Sequence, residues 1–396
     1  PKKVIFCKLC VQSNQRPGPS PEHLKKNKSV PTIGFKEGIC DACRYYSEIK
    51  SKINWKLREK KLKKLCDKYR DKNALYDVIV PGSGGKDSIY VSQLLKNKYK
   101  MKVLSVTWAP HLYTDIGWKN FQSWCKTGID NILVTPNYKV HSKLTSLAFK
   151  NLVNPFQPFI MGQKVCAPKI ALKYGVKLIF YGENNSEARG HYKENLSPIM
   201  DIKHYTRKNN KTKLFYGGVS LKDLKNEHGI TNRDLEIYMP PLEQQIRKRG
   251  IEVHFMSYYK KWSPQDNYYF AKKNSGFQTN IGGRSEGTYS KFSSLDDKID
   301  GQHYYTMFIK FGQGRAMNDA CRDIRDGFIT RKEALLLMKK YDGEFPKKYF
   351  KEFLKYINIT EKEYWRIIDK ARPKHLWKKK AGKWILKKKV WQENVK

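Results

Sequence analysis

Val78-Ile79-Val80-Pro81-Gly82-Ser83-Gly84-Gly85-Lys86-Asp87-Ser88 decides how the rest of the chain is read. Asp77 to Val80 ends a β-branched run of the kind a buried parallel strand prefers, and three glycines then let the backbone turn where a Cβ would obstruct it. Ile89 to Lys96 follows with helical apolar spacing. A strand, a tight turn and a helix start in succession place backbone amides and a helix N-terminus around a space that suits an anion. Ser83 and Ser88 add hydroxyl donors and Lys86 adds a positive charge. The rival reading is a glycine turn with no ligand.

Outward from this stretch the pattern alternates. Val103 to Thr107, Asn131 to Thr135 and Lys177 to Tyr181 read as strands, with helices over Asn120 to Lys126, Val140 to Leu152 and Lys169 to Tyr174 between them. Such alternation predicts an α/β fold with a parallel sheet covered on both faces and ligands outside the carboxyl ends of its strands. Those ends supply Ser83, Trp108, Thr135 and Gly182-Glu183-Asn184-Asn185. Trp108 reads either as a wall of an adenine pocket or as packing. The carboxylate and amide of Glu183 and Asn184 can hold magnesium, a ribose or a nucleophile's proton, or simply cap a turn. Residues 200–249 break the alternation and read as an insertion, after which Ile251 to Ser257 returns as a strand.

Before the alternating region, Cys7-Lys8-Leu9-Cys10 and Cys40-Asp41-Ala42-Cys43 form two Cys-x-x-Cys knuckles. Four thiolates at this spacing suit a closed tetrahedral zinc ribbon that staples a module with little core of its own. The same ligands also suit an iron-sulfur cluster. Tyr45 to Arg70 reads as one amphipathic helix linking ribbon and main domain. After the alternating region, residues 280–302 are unusually polar. Arg284 and Lys291 there, and Arg315 in Gly312-Gln313-Gly314-Arg315, suit a phosphate or carboxylate. Helices over Thr330 to Lys340 and Lys347 to Ile357 close the fold. The tail from Lys374 carries Trp377, Trp384, Trp391 and eight lysines through Lys389, and reads as a docked segment with a solvated lysine face. The resulting domain plan is a zinc-ribbon module over 1–46, a linker helix over 47–76, an α/β domain over 77–275 and a substrate-loop and helical region over 276–396.

At 396 residues and 39% hydrophobic content the chain can bury a sizeable core. Its formal net charge of +42 raises nucleic acid as a partner, but the lysines are scattered end to end rather than gathered in a stripe, so nucleic acid is not the expected partner. No stretch approaches the ~18 apolar residues that span a bilayer, and the start at Pro1 lacks a signal-peptide core, so a cytoplasmic protein is expected.

Ser83-Gly84-Gly85-Lys86-Asp87-Ser88 lacks the longer loop of a Walker A motif and resembles the SGGxDS loop of the PP-loop ATP pyrophosphatases, of HUP-like fold. That resemblance implies cleavage of ATP between its α and β phosphates. Taken with the cysteine knuckles, Gly182-Glu183-Asn184, the Arg284 to Lys291 segment, Ser293-Ser294-Leu295-Asp296-Asp297-Lys298 and Lys310-Phe311-Gly312-Gln313-Gly314-Arg315-Ala316, the chain resembles the N-acetyl sugar amidotransferases of bacterial surface-glycan synthesis, a family that includes the pseudaminic acid and O-antigen amidotransferases. The resemblance implies conversion of an acetamido group on a free or nucleotide-activated sugar into an acetamidino group, driven by ATP with Mg²⁺.

It further implies roles for particular residues. Ser83, Gly84, Gly85, Lys86 and Ser88 would meet the phosphates, with Trp108, Gly182 and Asn184 also around the nucleotide. Asp87, Lys86 and Glu183 would carry the catalytic chemistry. Arg284, Glu286, Tyr289, Lys291 and Arg315 would meet an anionic sugar, and Cys7, Cys10, Cys40 and Cys43 would hold Zn²⁺. No cysteine here sits in a glutaminase elbow: Cys166 lies in Val165-Cys166-Ala167. A separate glutaminase subunit and an ammonia-channelling synthase-type subunit are therefore expected as partners. Two rival readings are a tRNA-modifying PP-loop enzyme, either a sulfurtransferase or a lysidine-type ligase, and a non-catalytic scaffold for a glutaminase complex.

Overall fold

The structure is a computed structural model and describes residues 3–16, 22–23, 32–184, 187 and 195–392. Five strands form the central sheet: β1 (Val78–Pro81), β2 (Val103–Trp108), β3 (Asp130–Val134), β4 (Leu178–Tyr181) and β5 (Glu252–Phe255). They are all parallel, in the order β3-β2-β1-β4-β5. Chain direction across the sheet reverses beside β1, so the crevice at the carboxyl ends of β1 and β4 is the switch point where open α/β sheets take ligands.

Strand alternation explains how both faces are covered. On β1, Val78 and Val80 point to one side, into a core shared with Leu62, Leu95, Phe180 and Trp262, and Ile79 points to the other, with Leu104, Val106, Ile179 and Val253. The second face is covered by the helices Tyr138–Leu152 and Gln157–Tyr174 and by the 200–249 insertion, whose Tyr205, Tyr216, Leu224 and Tyr238 join that core.

Three expectations change at the level of elements. The single linker helix is two, Asp41–Glu48 and Trp55–Tyr69. Ile53 turns extended between them, and the Asn54 side chain caps the second by accepting from the Leu57 amide at 3.0 Å. The first of these helices runs across the expected 46/47 boundary. The ribbon is no separate module either: Val4, Phe6, Val11 and Ile33 share one core with Ile309, Met317, Ala334, Phe353 and Tyr364 from the C-terminal helices. That C-terminal region ends in an antiparallel hairpin, Trp377–Lys380 with Lys383–Leu386. Trp377 and Leu386 are buried there and Lys378, Lys379 and Lys380 are exposed. Among the described residues no helix is long and apolar enough to cross a membrane.

Candidate active site

The glycine loop leaves β1 and enters the helix Lys86–Gln93. Gly84 sits at φ +82°, and a Cβ there would lie 2.6 Å from Phe121 Cα. Only glycine allows that backbone against the neighbouring helix Asp115–Cys125. Ser88 Oγ donates to the Gly85 carbonyl at 2.9 Å, tying the helix start to the loop. Gly85 is the N-cap and brings no side chain, so the first-turn amides face outward.

Asp87 is held from two sides. Lys86 Nζ lies 2.7 Å from one carboxylate oxygen and Asn267 Nδ2 donates to the other at 2.8 Å. Crowding by protein atoms works against ionisation, but Lys86, Asn267 and Arg322 outweigh it and hold the carboxyl below its ordinary range.

Opposite the loop stands the segment that begins at Ser293. Residues 111–114, which leave β2, zip against residues 295–298: the Lys298 amide donates to Leu112 O at 2.9 Å and the Thr114 amide to Asp296 O at 3.2 Å. This pairing closes a cavity of about 250 Å³ lined by the Ser83 to Asp87 loop, Asn120, Phe292 to Asp296, Asp300 and Arg315. Burial pushes Asp296 up, against a hydrogen bond from Ser83 and with Asp297 adding to the rise. Burial likewise lifts Asp300 to about 6, despite Arg315. Arg315 bonds Asp319 at 3.1 Å and the Tyr304 hydroxyl. Asp87, Asp296 and Asp300 are hard oxygen donors lining the cavity, but among the described residues only the four cysteines gather closely enough to form a metal-ligand cluster.

The end of β4 lies beside the loop but does not line its cavity: Glu183 and Asn184 open instead onto two separate pockets. A Cβ on Gly182 would lie 3.6 Å from Asp87 Cβ, so this turn abuts the loop. Glu183 is paired with Arg322 at 2.6 Å, and the Asn184 amide donates to Ser257 Oγ at 3.2 Å. Asn185 lies outside the described residues.

Several expected site residues have other work. Trp108 is sealed in the core against Gly162, His141 and Tyr238 and does not line the loop cavity. Arg284 is spent on a bidentate pair with Glu344, at 2.7 and 2.9 Å, and stacks over Tyr341. Glu286 accepts from the Lys347 and Lys348 amides, and the Tyr289 hydroxyl donates to Asp323 at 2.5 Å. These three shape the segment rather than the cavity. Lys291 is exposed and stands 5.1 Å from the Tyr268 ring. Of the five expected substrate residues only Arg315 lines the loop cavity.

Sequence reasoning missed Asn267, Asp296 and Asp300 as site groups, and also Arg322. Only Arg322 carried a usable signal, since it follows Arg315 by two helical turns on the same face. The helix Arg315–Asp326 in fact carries Arg315, Asn318, Arg322 and Arg325 along one stripe and Asp319, Asp323 and Asp326 along the next.

That helix ends at the cysteine cluster. The Cys7, Cys10, Cys40 and Cys43 sulfurs all lie within 4.8 Å of one another and are buried. Backbone amides of Cys10 and Cys40 point at Cys7 Sγ. Four such thiols fit a tetrahedral metal, with zinc and an iron-sulfur cluster both compatible. A fifth thiol, Cys321, packs against Cys10, and the Arg325 guanidinium stands beside the cluster, which favours its charge against the cost of burial. Gln12 donates to Gln313 at 2.7 Å, Arg16 to Asn318, and Arg331 to Cys10 O at 3.2 Å. The ribbon thus docks on the same element that presents Arg315 and Arg322.

Residues 286–391 match the family described as LPS biosynthesis protein WbpG-like, C-terminal domain. No curated protein matches the chain. Among solved structures, an NMN synthetase from Francisella tularensis is 13% identical, with 79% of this chain and 96% of that one covered at a TM-score of 0.33. The U34-tRNA thiolase NcsA from Methanococcus maripaludis, with its [4Fe-4S] cluster, is 13% identical, with 82% and 90% covered at a TM-score of 0.28. The all-parallel sheet with the Ser83 to Ser88 loop at its switch point is the arrangement expected of a PP-loop fold, and residues 286–391 are similar to the WbpG-like C-terminal domain of LPS biosynthesis proteins.

Proposed function

We propose that the chain is an ATP-dependent amidotransferase that converts an acetamido group of a bacterial surface sugar, free or nucleotide-linked, into an acetamidino group. One observation carries this reading: the glycine loop and the Ser293 to Arg315 part of the lipopolysaccharide-type domain line a single cavity, so a nucleotide phosphate and a sugar-directed segment would meet there.

An amide resists ammonia because its oxygen leaves poorly. In the proposed reaction the acetamido oxygen attacks the α-phosphorus, the bond to pyrophosphate breaks, and an O-adenylated imidate forms. Ammonia then adds to the imidate carbon, the carbon-oxygen bond breaks with release of AMP, and the added nitrogen gives up a proton. Ser83, Gly84, Gly85, Lys86 and Ser88 would cradle the phosphates, with Gly182 and Asn184 at the site mouth. Asp87 would stand near Mg²⁺ and pyrophosphate, and Mg²⁺ when bound would screen phosphate charge. Arg315 would meet the anionic sugar or its phosphate, and Arg322, steadied by Glu183, would face charge developing near Asp87. Zn²⁺ in the four-cysteine site would be structural. Ammonia would come from a separate glutaminase through a synthase-type subunit.

The test is mass spectrometry of reactions containing ATP, an ammonium salt and a panel of CMP- or UDP-linked diacetamido sugars. The expected product is about one mass unit lighter, as NH replaces O, with AMP formed in equal amount. AMP formation that is indifferent to Ser83→Ala together with Asp87→Ala would remove the enzyme assignment.

A further inference from the structure

The helix Arg315–Asp326 starts without a capping side chain of its own. A helix start leaves its first amides without intrahelical partners, and an Asp, Asn, Ser or Thr at the N-cap usually takes one of them. Here the N-cap is Gly314, which has no side chain to give. Asp342, 28 residues further on, does that work from outside: the Gly314 amide donates to Asp342 Oδ2 at 3.1 Å and the Met317 amide to Oδ1 at 3.0 Å. Met317 is the third residue of the helix, the one that an N-cap side chain ordinarily serves. The Ala316 amide goes to Gly287 O at 3.0 Å. A carboxylate also suits the positive end of the helix dipole.

Two glycines make the arrangement possible. A Cβ on Gly314 would lie 2.8 Å from Asp342 Oδ1, so the helix cannot carry its own capping side chain while Asp342 holds that place. Gly343 sits at φ +81°, and a Cβ there would lie 2.3 Å from the Phe308 ring. Only glycine lets the turn lie this close on the helix Asp300–Phe311, and that contact fixes where Asp342 stands. Glu344 completes the grip: it holds Arg284 in the bidentate pair and accepts from the Gly287 amide at 2.7 Å. Asp342-Gly343-Glu344 therefore clasps residues 284–287 and the helix start together. Burial pushes the Asp342 carboxyl up to about 6, against the pull of the amides, so its charge is held at a cost. Arg315 is the first residue beyond the clasp. Its Nε meets Asp319 at 3.1 Å, its guanidinium stands 4.5 Å from the Tyr304 ring, and Thr288 Oγ1 donates to Asp319 at 2.7 Å. Arg315 lines the loop cavity, and Asp342 does not.

We propose that Asp342 is a positioning residue for Arg315: from outside the cavity it fixes the first turn of the helix Arg315–Asp326, and with it the line along which the Arg315 guanidinium enters the cavity. The assignment rests on the amidotransferase reading, in which Arg315 meets the anionic sugar. A cap sets the backbone of the residue that follows it, and a side chain as long as arginine carries a small backbone rotation out to its far end. A displacement of about 1 Å there is enough to cost a bound anion its geometry.

Two measurements on the full chain test it. Asp342→Asn keeps one acceptor for the two amides and meets the other with a donor, and Asp342→Ser keeps a single short acceptor. Each loses a capping bond and a costly charge together, so both are expected to fold with Tm within about 3 °C of the parent. Thr360→Ala removes the cap of the helix Glu361–Lys370, away from the cavity, and controls for a merely local loss of helix stability. With ammonium salts as the nitrogen source, the Asp342 variants should raise KM for a nucleotide-linked diacetamido sugar about tenfold, leave KM for ATP in place, and add nothing once Arg315→Gln is present. Full additivity with Arg315→Gln, or an equal effect of Thr360→Ala, overturns the proposal. The second measurement needs no sugar: the Arg315 Nε–H NMR signal of ¹⁵N-arginine-labelled protein, identified by its loss in Arg315→Lys. It is expected to shift, and to exchange with solvent about tenfold faster, in the Asp342 variants and not in Thr360→Ala. An unmoved Arg315 signal in a folded Asp342 variant overturns the proposal. The expected shift, in a chain that forms AMP with no acetamido sugar, would leave the positioning role standing and remove the functional reading instead.

Discussion

Gly84 and Asp300 show how single positions set the cavity. At φ +82° and with Phe121 backbone where its Cβ would go, Gly84→Ala must push the loop away from the helix it rests on. The expected result is a loss of AMP formation of about 100-fold, with the melting temperature little moved, measured by pyrophosphate release and calorimetry. Asp300 illustrates a cost carried for function. Its carboxyl titrates at about 6 in the fold because burial opposes its charge, while in the unfolded chain it titrates at about 3.9. The folded chain therefore binds that proton more tightly. The associated stability is whole below about pH 4 and is lost as pH rises through about 6. Asp300→Asn should accordingly raise the melting temperature at pH 7.5 but not at pH 4, and should slow AMP formation by removing a charge from the cavity wall. In the parent chain turnover should climb between pH 5 and 7 as Asp300 ionises. A variant no more stable at pH 7.5 than the parent would contradict the account.

At the scale of elements, the helix Arg315–Asp326 joins what the sequence presents as distant parts. Arg315 reaches the loop cavity, Arg322 reaches Glu183 and the surroundings of Asp87, and Cys321 and Arg325 reach the cysteine cluster. Because Arg322 and Glu183 act as one pair, their substitutions should not add. Arg322→Gln is expected to slow AMP formation about 30-fold, Arg322→Lys to restore part of it, and Glu183→Gln on top of Arg322→Gln to cost little more. Full additivity in that cycle would show that the pair is not a functional unit. Gly312-Gln313-Gly314-Arg315 is a weak signal as a string of letters, since spaced glycines and an arginine occur in many turns. Its meaning comes from Gln313 meeting Gln12 of the ribbon while Arg315 meets the cavity.

For the whole molecule, the shared core of ribbon and C-terminal helices ties metal binding to the site. Removing the metal with a strong chelator should therefore do more than loosen residues 3–16. We expect the melting temperature to fall by about 10 °C and AMP formation to drop at least about tenfold, both restored by zinc, with one metal ion per chain by elemental analysis. Activity indifferent to chelation, with the metal shown to be gone, would assign the ribbon to some other task. The sequence by itself determined the features written in contiguous residues: the strand, glycine turn and helix start at Val78 to Ser88, the alternating sheet, and the two cysteine knuckles. Backbone period, glycine freedom and ligand spacing are local properties, so neighbouring residues suffice to express them. Only the tertiary structure decided which charges serve the cavity. Arg284 looked as fit for an anion as Arg315, yet Glu344 takes the first and the cavity receives the second. Asp296 and Asp300 lie far along the chain from the loop they face. A charged side chain acts on whatever stands within about 4 Å of it, and that neighbour is chosen by the fold and not by the adjacent letters.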